Sequence, residues 1–409
     1  FTAVSGVGYF VNTTSGAISV NLPAGTAGDV VAIKDYANTF DTNNVTLVVN
    51  GSDKIGGLNV NGTLSTEGLA VTLVFVDATK GWLVTDNGTQ DTAPTAQYVT
   101  ATGGTIKTSG NFKTHIFTGP ATFCVSCAGN AQGSNTAEYF VLAGGGSGGA
   151  YNSTNEGLGG GGAGGFRLSA AACVPAPTMS PLAKSCGALP VTAQGYPITV
   201  GGGGARTDVC TTNPAPGNPG SNSIFSTITS AGGGGGAPSP DNNGFTGGSG
   251  GGGNRGNSTT GVGGAGNTPP VSPPQGQTGG GGTPLPAQGP PAPVPTRNGG
   301  GGGGAGAIGA EAVTANAGTG GAGSFVADAF IGGCAPSFGT PGPVSSTRYF
   351  AGGGGGSGGS GGQPGGGAGA GNGRQGTNGD SASANSGSGG GGGNNTLTPG
   401  GAGLGGSGI

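Results

Sequence analysis

The sequence predicts an all-β chain: small N-terminal strand modules, then a glycine-rich domain of strands and packed polyglycine-II or polyproline-II helices, with no long α-helix. Three observations carry this. Short apolar runs alternate with turn residues over the first ninety positions, no stretch has a sustained helical period, and ten glycine runs recur from Gly144 to Gly393. The domains read as 1–92, an N-terminal β module; 93–231, a β-rich domain interleaved with glycine runs; and 232–409, a polyglycine-II bundle with projecting Pro, Asn and Ser loops.

In the first module the strand candidates are Val7–Asn12, Ala17–Leu22, Val30–Lys34, Val45–Val49, Leu69–Val76 and Gly81–Thr85, with Asn50-Gly51 and Asn87-Gly88 as turns. Ile33, Val71, Leu73, Phe75 and Trp82 are the expected core. A polar join containing Pro94 leads to further strands at Tyr98–Thr100, Lys113–Thr118, Thr122–Val125 and Ala137–Ala143. The last of these contains Tyr139-Phe140-Val141-Leu142, apolar enough to be buried on both faces and to anchor the first glycine run.

Composition divides the chain: 18 of its 106 glycines precede residue 143 and 88 follow it. Glycine loses the most backbone entropy on ordering and brings no side chain to a core, so each run is floppy unless backbones pack directly on one another. A flexible tail is one outcome. The other is a bundle of extended glycine helices, whose N–H and C=O groups have no partner within the helix and pair between helices instead. Strand-like pieces at Phe166–Ala170, Pro197–Val200 and Ser223–Thr229 lie among the runs, which favours the bundle; the strict Gly-X-Y period of collagen is missing. Runs of four to six residues span about 12–19 Å, so the segments between them project from the two ends of a short bundle.

A net charge of −3 gives no reason to expect a nucleic-acid partner, and no apolar stretch approaches membrane-spanning length. All six arginines lie in the glycine-rich part, where they suit flat, bidentate recognition contacts or serve as solubilising charges. Phe245, Arg255, Arg297, Tyr349 and Phe350 are the candidate receptor-binding residues. The six cysteines, Cys124, Cys127, Cys173, Cys186, Cys210 and Cys334, are candidates for structural disulfides; fifteen pairings are open, with Cys173–Cys186 the first choice because it brackets a proline-rich loop.

Catalytic chemistry finds no constellation. His115 is the only histidine and sits in a strand-like run; Cys124-Val125-Ser126-Cys127 has redox-motif spacing but no following helix; no second such pair supplies a zinc site. Glycine-spaced nucleotide motifs are abundant only because glycine is, and none joins a strand to a helix. Asp35, Asp41, Asp53 and Asp77 form a local group with nothing to place two of them across a cleft. The expectation is a non-enzyme without cofactor or metal.

The order of Tyr98, His115-Ile116-Phe117-Thr118, Thr122-Phe123, Glu138 to Gly146, Gly159–Gly165, Tyr196 to Gly202, Gly220 to Phe225 and Thr229 to Gly233 resembles the glycine-rich domain of bacteriophage tail-fibre and virion structural proteins. Gly8-Tyr9-Phe10, Leu22 to Gly25 and Asn50 to Gly57 are similar to a small β module of tail fibres. The resemblance implies a virion or extracellular adhesin in which loops at the tip of a stacked polyglycine-II domain bind a host cell-surface receptor, protein or glycan. It also implies a homo-oligomer joined to other virion subunits, without nucleic acid or membrane insertion. The alternative is a self-assembling filament subunit held by sheet edges and glycine backbones. An ice-binding protein is a third possibility, but it needs a flat, regular Thr/Ala face that the irregular excursions do not promise.

Overall fold

The computed structural model of the chain describes residues 1–86, 96–130, 132–152, 156–170, 174, 178–206, 215–239, 243–255, 260–284, 297–394 and 401–409. They form two compact units: Phe1–Thr100 with Cys127–Asn135, and Ala101–Ser126 with Thr136–Ile409. The expected boundary at residue 92 lies outside the described residues.

The first unit is a two-sheet sandwich. Strands β1 (Val7–Val11), β3 (Val30–Asp35), β6 (Ala70–Asp77) and β7 (Gly81–Asp86) make one sheet in the order β1-β3-β6-β7; β2 (Ile18–Asn21), β4 (Val45–Val48) and β5 (Gly62–Leu64) make the other, in the order β2-β4-β5. Alternate residues of β3 and β6 point inward, and Ile33, Val71, Leu73, Phe75 and Trp82 join Val20, Leu47 and Leu64 of the facing sheet in one core. Phe75 and Trp82 meet edge-on at 5.5 Å. The apolar runs mark these strands within a residue or two, but not their partners. β1 pairs with β3 and β2 with β4, both in parallel, so β1 to β4 alternate between the two sheets. β5 is a strand that the apolar pattern does not mark, because only Leu64 in Gly62–Leu64 is large.

At the edge of this core Asp35 is buried, and its carboxylate accepts the backbone N–H groups of Ala37, Thr39, Phe40 and Gly68. Burial pushes its pKa up, but the four backbone donors outweigh burial and hold it below the ordinary value.

The second unit is built on its glycine runs. The run 158–165 shows how. Gly159, Gly162 and Gly165 donate to Ala237, Gly234 and Ala231; Gly160 and Ala163 donate to Gly300 and Gly303; Gly161 and Gly164 donate to Gly390 and Gly387. Every third residue therefore addresses the same neighbour, which is the three-residue turn of a polyglycine-II or polyproline-II helix. Its carbonyls repeat the pattern. They accept from Gly149, Gly146 and Ala143 on one side, from Gly252 and Ser249 on a second, and from Ser357 and Gly354 on a third. Six neighbouring runs surround 158–165, three taking its donors and three feeding its acceptors.

The close spacing forbids side chains. A Cβ on Gly160 would lie 2.1 Å from the Gly354 carbonyl oxygen, and one on Gly161 2.2 Å from that of Gly146. Further runs continue the array outward: 276–283 rests on 249–253 and 299–304, and 317–323 on 299–302 and 353–356. The runs 232–236, 299–304 and 352–356 are thus parts of one packed scaffold. Bonds such as Gly162 to Gly234 cross residue 231, so the division expected there runs through a single unit.

Short strands close one end. Phe140–Leu142 pairs antiparallel with Phe166–Ser169, and Ser324–Ala327 with Thr347–Phe350. Leu142, Phe166, Val326 and Phe350 form their core, with Phe140 packed 4.9 Å from Phe166 and 5.1 Å from Phe350. Among the described residues the helical structure is the four-residue Asp328–Ile331 and the 3-10 turn Gly332–Ser337; no helix is long and apolar enough to cross a membrane.

Candidate functional site

Run polarity fixes what lies at each end. Runs 143–149 and 351–357 leave the strand-closed end, and 158–165 and 299–305 return to it. The opposite end is where 143–149 gives way to Glu156, where Asn298 starts its run and where 351–357 turns at Ser360. This loop end holds a cluster of buried and half-buried polar side chains.

At its centre the Glu156 carboxylate pairs with Arg297, and its other oxygen accepts from Ser239 Oγ at 2.6 Å. Asn394 Nδ2 donates to the Glu156 carbonyl at 3.4 Å. Beside them the fully buried Asn298 donates through Nδ2 to the carbonyls of Val313 and Thr314 and to Ser360 Oγ, while its Oδ1 accepts from the Ser360 N–H. Arg255 is 5% exposed. Burial, and after it the like charge of Arg297, lowers its pKa. A guanidinium keeps its proton even so. The chemistry of the cluster is that of a polar clamp: it ties Glu156, Ser239, Arg297 with Asn298, the Val313–Thr314 turn, Ser360 and Asn394, which belong to six separate runs, together at one end.

The five candidate receptor-binding residues are not brought together. Arg255 and Arg297 lie at the loop end, neither turned fully outward. Phe350 is fully buried in the strand-end core, and Tyr349 is half-buried against Phe325 at 5.4 Å. Runs 299–305 and 351–357 pair antiparallel along their length, so Arg297 and Phe350 are about 28 Å apart along the bundle. Phe245 alone of the five is exposed, at 45%, and sits between runs 231–237 and 249–254. Phe350 and Arg255 are buried, so their reading as candidate receptor-binding residues is corrected. The burial of Phe350 comes from Phe140 and Phe166, about two hundred residues away in sequence. Glu156, Ser239, Asn298 and Asn394 went unmarked because no spacing links them; an isolated acid flanking a glycine run was the only available signal.

The disulfide expectation is corrected where it can be compared. Cys124, Cys127 and Cys186 are free thiols, so Cys186 has no bond to Cys173. Cys124 and Cys127 lie three apart on the strand Ala121–Cys127, which turns them to opposite faces. Cys173 and Cys210 lie outside the described residues, as does the side chain of Cys334. His115 Nδ1 lies 2.8 Å from the Gly103 carbonyl oxygen, and its ring meets Phe123 edge-on at 5.1 Å. Among the described residues no group of three His, Cys, Asp or Glu side chains converges.

A glycine-rich domain family matches residues 122–409. No curated protein matches the chain.

Proposed function

The chain belongs to the glycine-rich domain family, and on that premise we propose that it is a non-enzymatic phage tail-fibre or receptor-binding structural protein that displays loops for host-surface attachment. The observation that carries this reading is the loop end. The turn Val313–Asn316, the Ser360 turn, Asn298 and the Glu156–Arg297 pair are clamped at one end of a scaffold whose interior is backbone hydrogen bonds. A scaffold of this kind spends almost no sequence on a side-chain core and leaves its connecting segments free to vary, which is the arrangement an attachment surface needs.

The segments for contact are those between runs at the loop end, the turn Val313–Asn316 among them. Replacing Thr314, Ala315 and Asn316 with glycine and serine leaves particle assembly intact and abolishes adsorption to host cells. Adsorption at the unaltered level removes this reading.

A further inference from the structure

Three outer runs of the bundle lie side by side. Gly279 and Gly282 of run 276–283 donate to Gly264 and Gly261 of run 261–266, and Gly309 and Ala312 of run 307–313 donate back to Thr278 and Gly281. On these runs, backbone groups aimed at neither the interior nor an adjacent run recur at three-residue intervals. Among the described residues the N–H groups of Gly263, Thr278, Gly281, Ile308 and Glu311 have no protein acceptor, and the carbonyls of Gly263, Ile308 and Glu311 have no protein donor. The same face exposes Val262 at 60% and Ile308 at 66%, and among the described residues Glu311 is its one charged residue.

We propose that this face is a self-association surface whose occupant is a second copy of this chain. The donors repeat every three residues, about 9 Å along each run. A globular partner or a flexible peptide offers acceptors at that interval only by chance. A polyglycine-type run offers them by construction, and this chain is built of such runs. The face carries donors and acceptors together, so it is self-complementary and suits a closed two-fold pair rather than an open filament. Side chains take part as well as backbone: Val262 and Ile308 lose water on contact, and a face with one carboxylate adds little repulsion. Water satisfies these groups in the single chain, so no strain demands the pairing; its driving force is the exchange of hydrated edges for a continued lattice. The inference is independent of the attachment reading and is tested without host cells.

The test is sedimentation velocity of the full chain over a concentration series, with two variants. Thr278→Pro removes one outward donor yet keeps the backbone angle that the run already uses. Ile308→Asp puts a second carboxylate on the face beside Glu311. The wild-type chain sediments as a reversible dimer, and each variant dissociates at least tenfold more readily with an unchanged melting temperature. A wild-type chain that stays monomeric throughout, one that forms open-ended polymers, or a dimer that neither variant weakens overturns the proposal.

Discussion

The N–H of Gly161 donates to the carbonyl of Gly390 at 2.8 Å, joining residues 229 positions apart with no side chain on either. The same glycine accepts from Gly354 at 2.8 Å and has the Gly146 carbonyl where its Cβ would stand. Gly161→Ala forces runs 158–165 and 143–149 apart and destabilises the second unit by about 3 kcal/mol, read as a lower urea midpoint. Gly202→Ala is the control. It is exposed with nothing within 4 Å of the added carbon, and its midpoint stays within about 0.5 kcal/mol of wild type. Equal effects at the two positions would contradict the packed-run scaffold.

Phe350→Ala empties the aromatic core at the strand end and costs about 3–5 kcal/mol, whereas Phe245→Ala at an exposed position costs under about 1 kcal/mol. Thermal denaturation of the two variants ranks them, and the reverse order would place Phe350 on the surface.

Asp35 gives the first unit an acid limit. Its folded pKa is held below the unfolded value near 3.9, so its contribution is complete above about pH 4 and is lost as the pH falls through the lowered folded value. Asp35→Ala leaves four backbone N–H groups without their acceptor. It lowers stability at neutral pH by about 3 kcal/mol and flattens the acid limb of the stability curve. A variant with the wild-type acid limb would assign that limb to other carboxylates.

Arg374 grips Asp380 through two bonds, Nε to Oδ1 at 3.0 Å and a terminal nitrogen to Oδ2 at 2.6 Å, while Asn372 donates to Oδ2 at 2.9 Å. The Arg374 hydrogen bond, against the opposing effect of burial, holds the Asp380 carboxyl below its usual range. In Arg374→Ala the carboxyl titrates at higher pH by NMR. Stability changes by less than about 1 kcal/mol, because both groups are more than one-third exposed. The pair's small contribution is present above the unfolded pKa and fades as the pH drops through the folded one. An unmoved titration would show that Asn372 alone sets the shift.

Cys124 and Cys186 are exposed thiols. Alkylation of the unreduced protein followed by mass spectrometry modifies both. Protection of Cys186 until reductant is added would restore the disulfide that the cysteine spacing suggested.

Much of the material of the fold is legible in the residues themselves. Alternation in Val30–Asp35 and Ala70–Asp77 marks inward positions, because a strand must bury one face, and Trp82 has no other place in so small a unit. The strand Phe140–Leu142 announces an anchor for the first run by being apolar on both faces. The loop-end group was not legible: Arg297 and Glu156 stand 141 positions apart, and neither has a local pattern.

The sequence by itself determined that this chain is all-β, that its later part is glycine helix rather than side-chain core, and that such runs must pair or remain floppy. Only the tertiary structure decided which run lies beside which, that 158–165 is enclosed by six neighbours, and that Phe350 is inside while Phe245 is out. The physical reason is that glycine runs carry no side chains to distinguish one neighbour from another. Their register is set where they end, by Leu142, Phe166 and Phe350 at one end and by Glu156, Arg297 and Asn298 at the other, and those contacts exist only once the chain has folded.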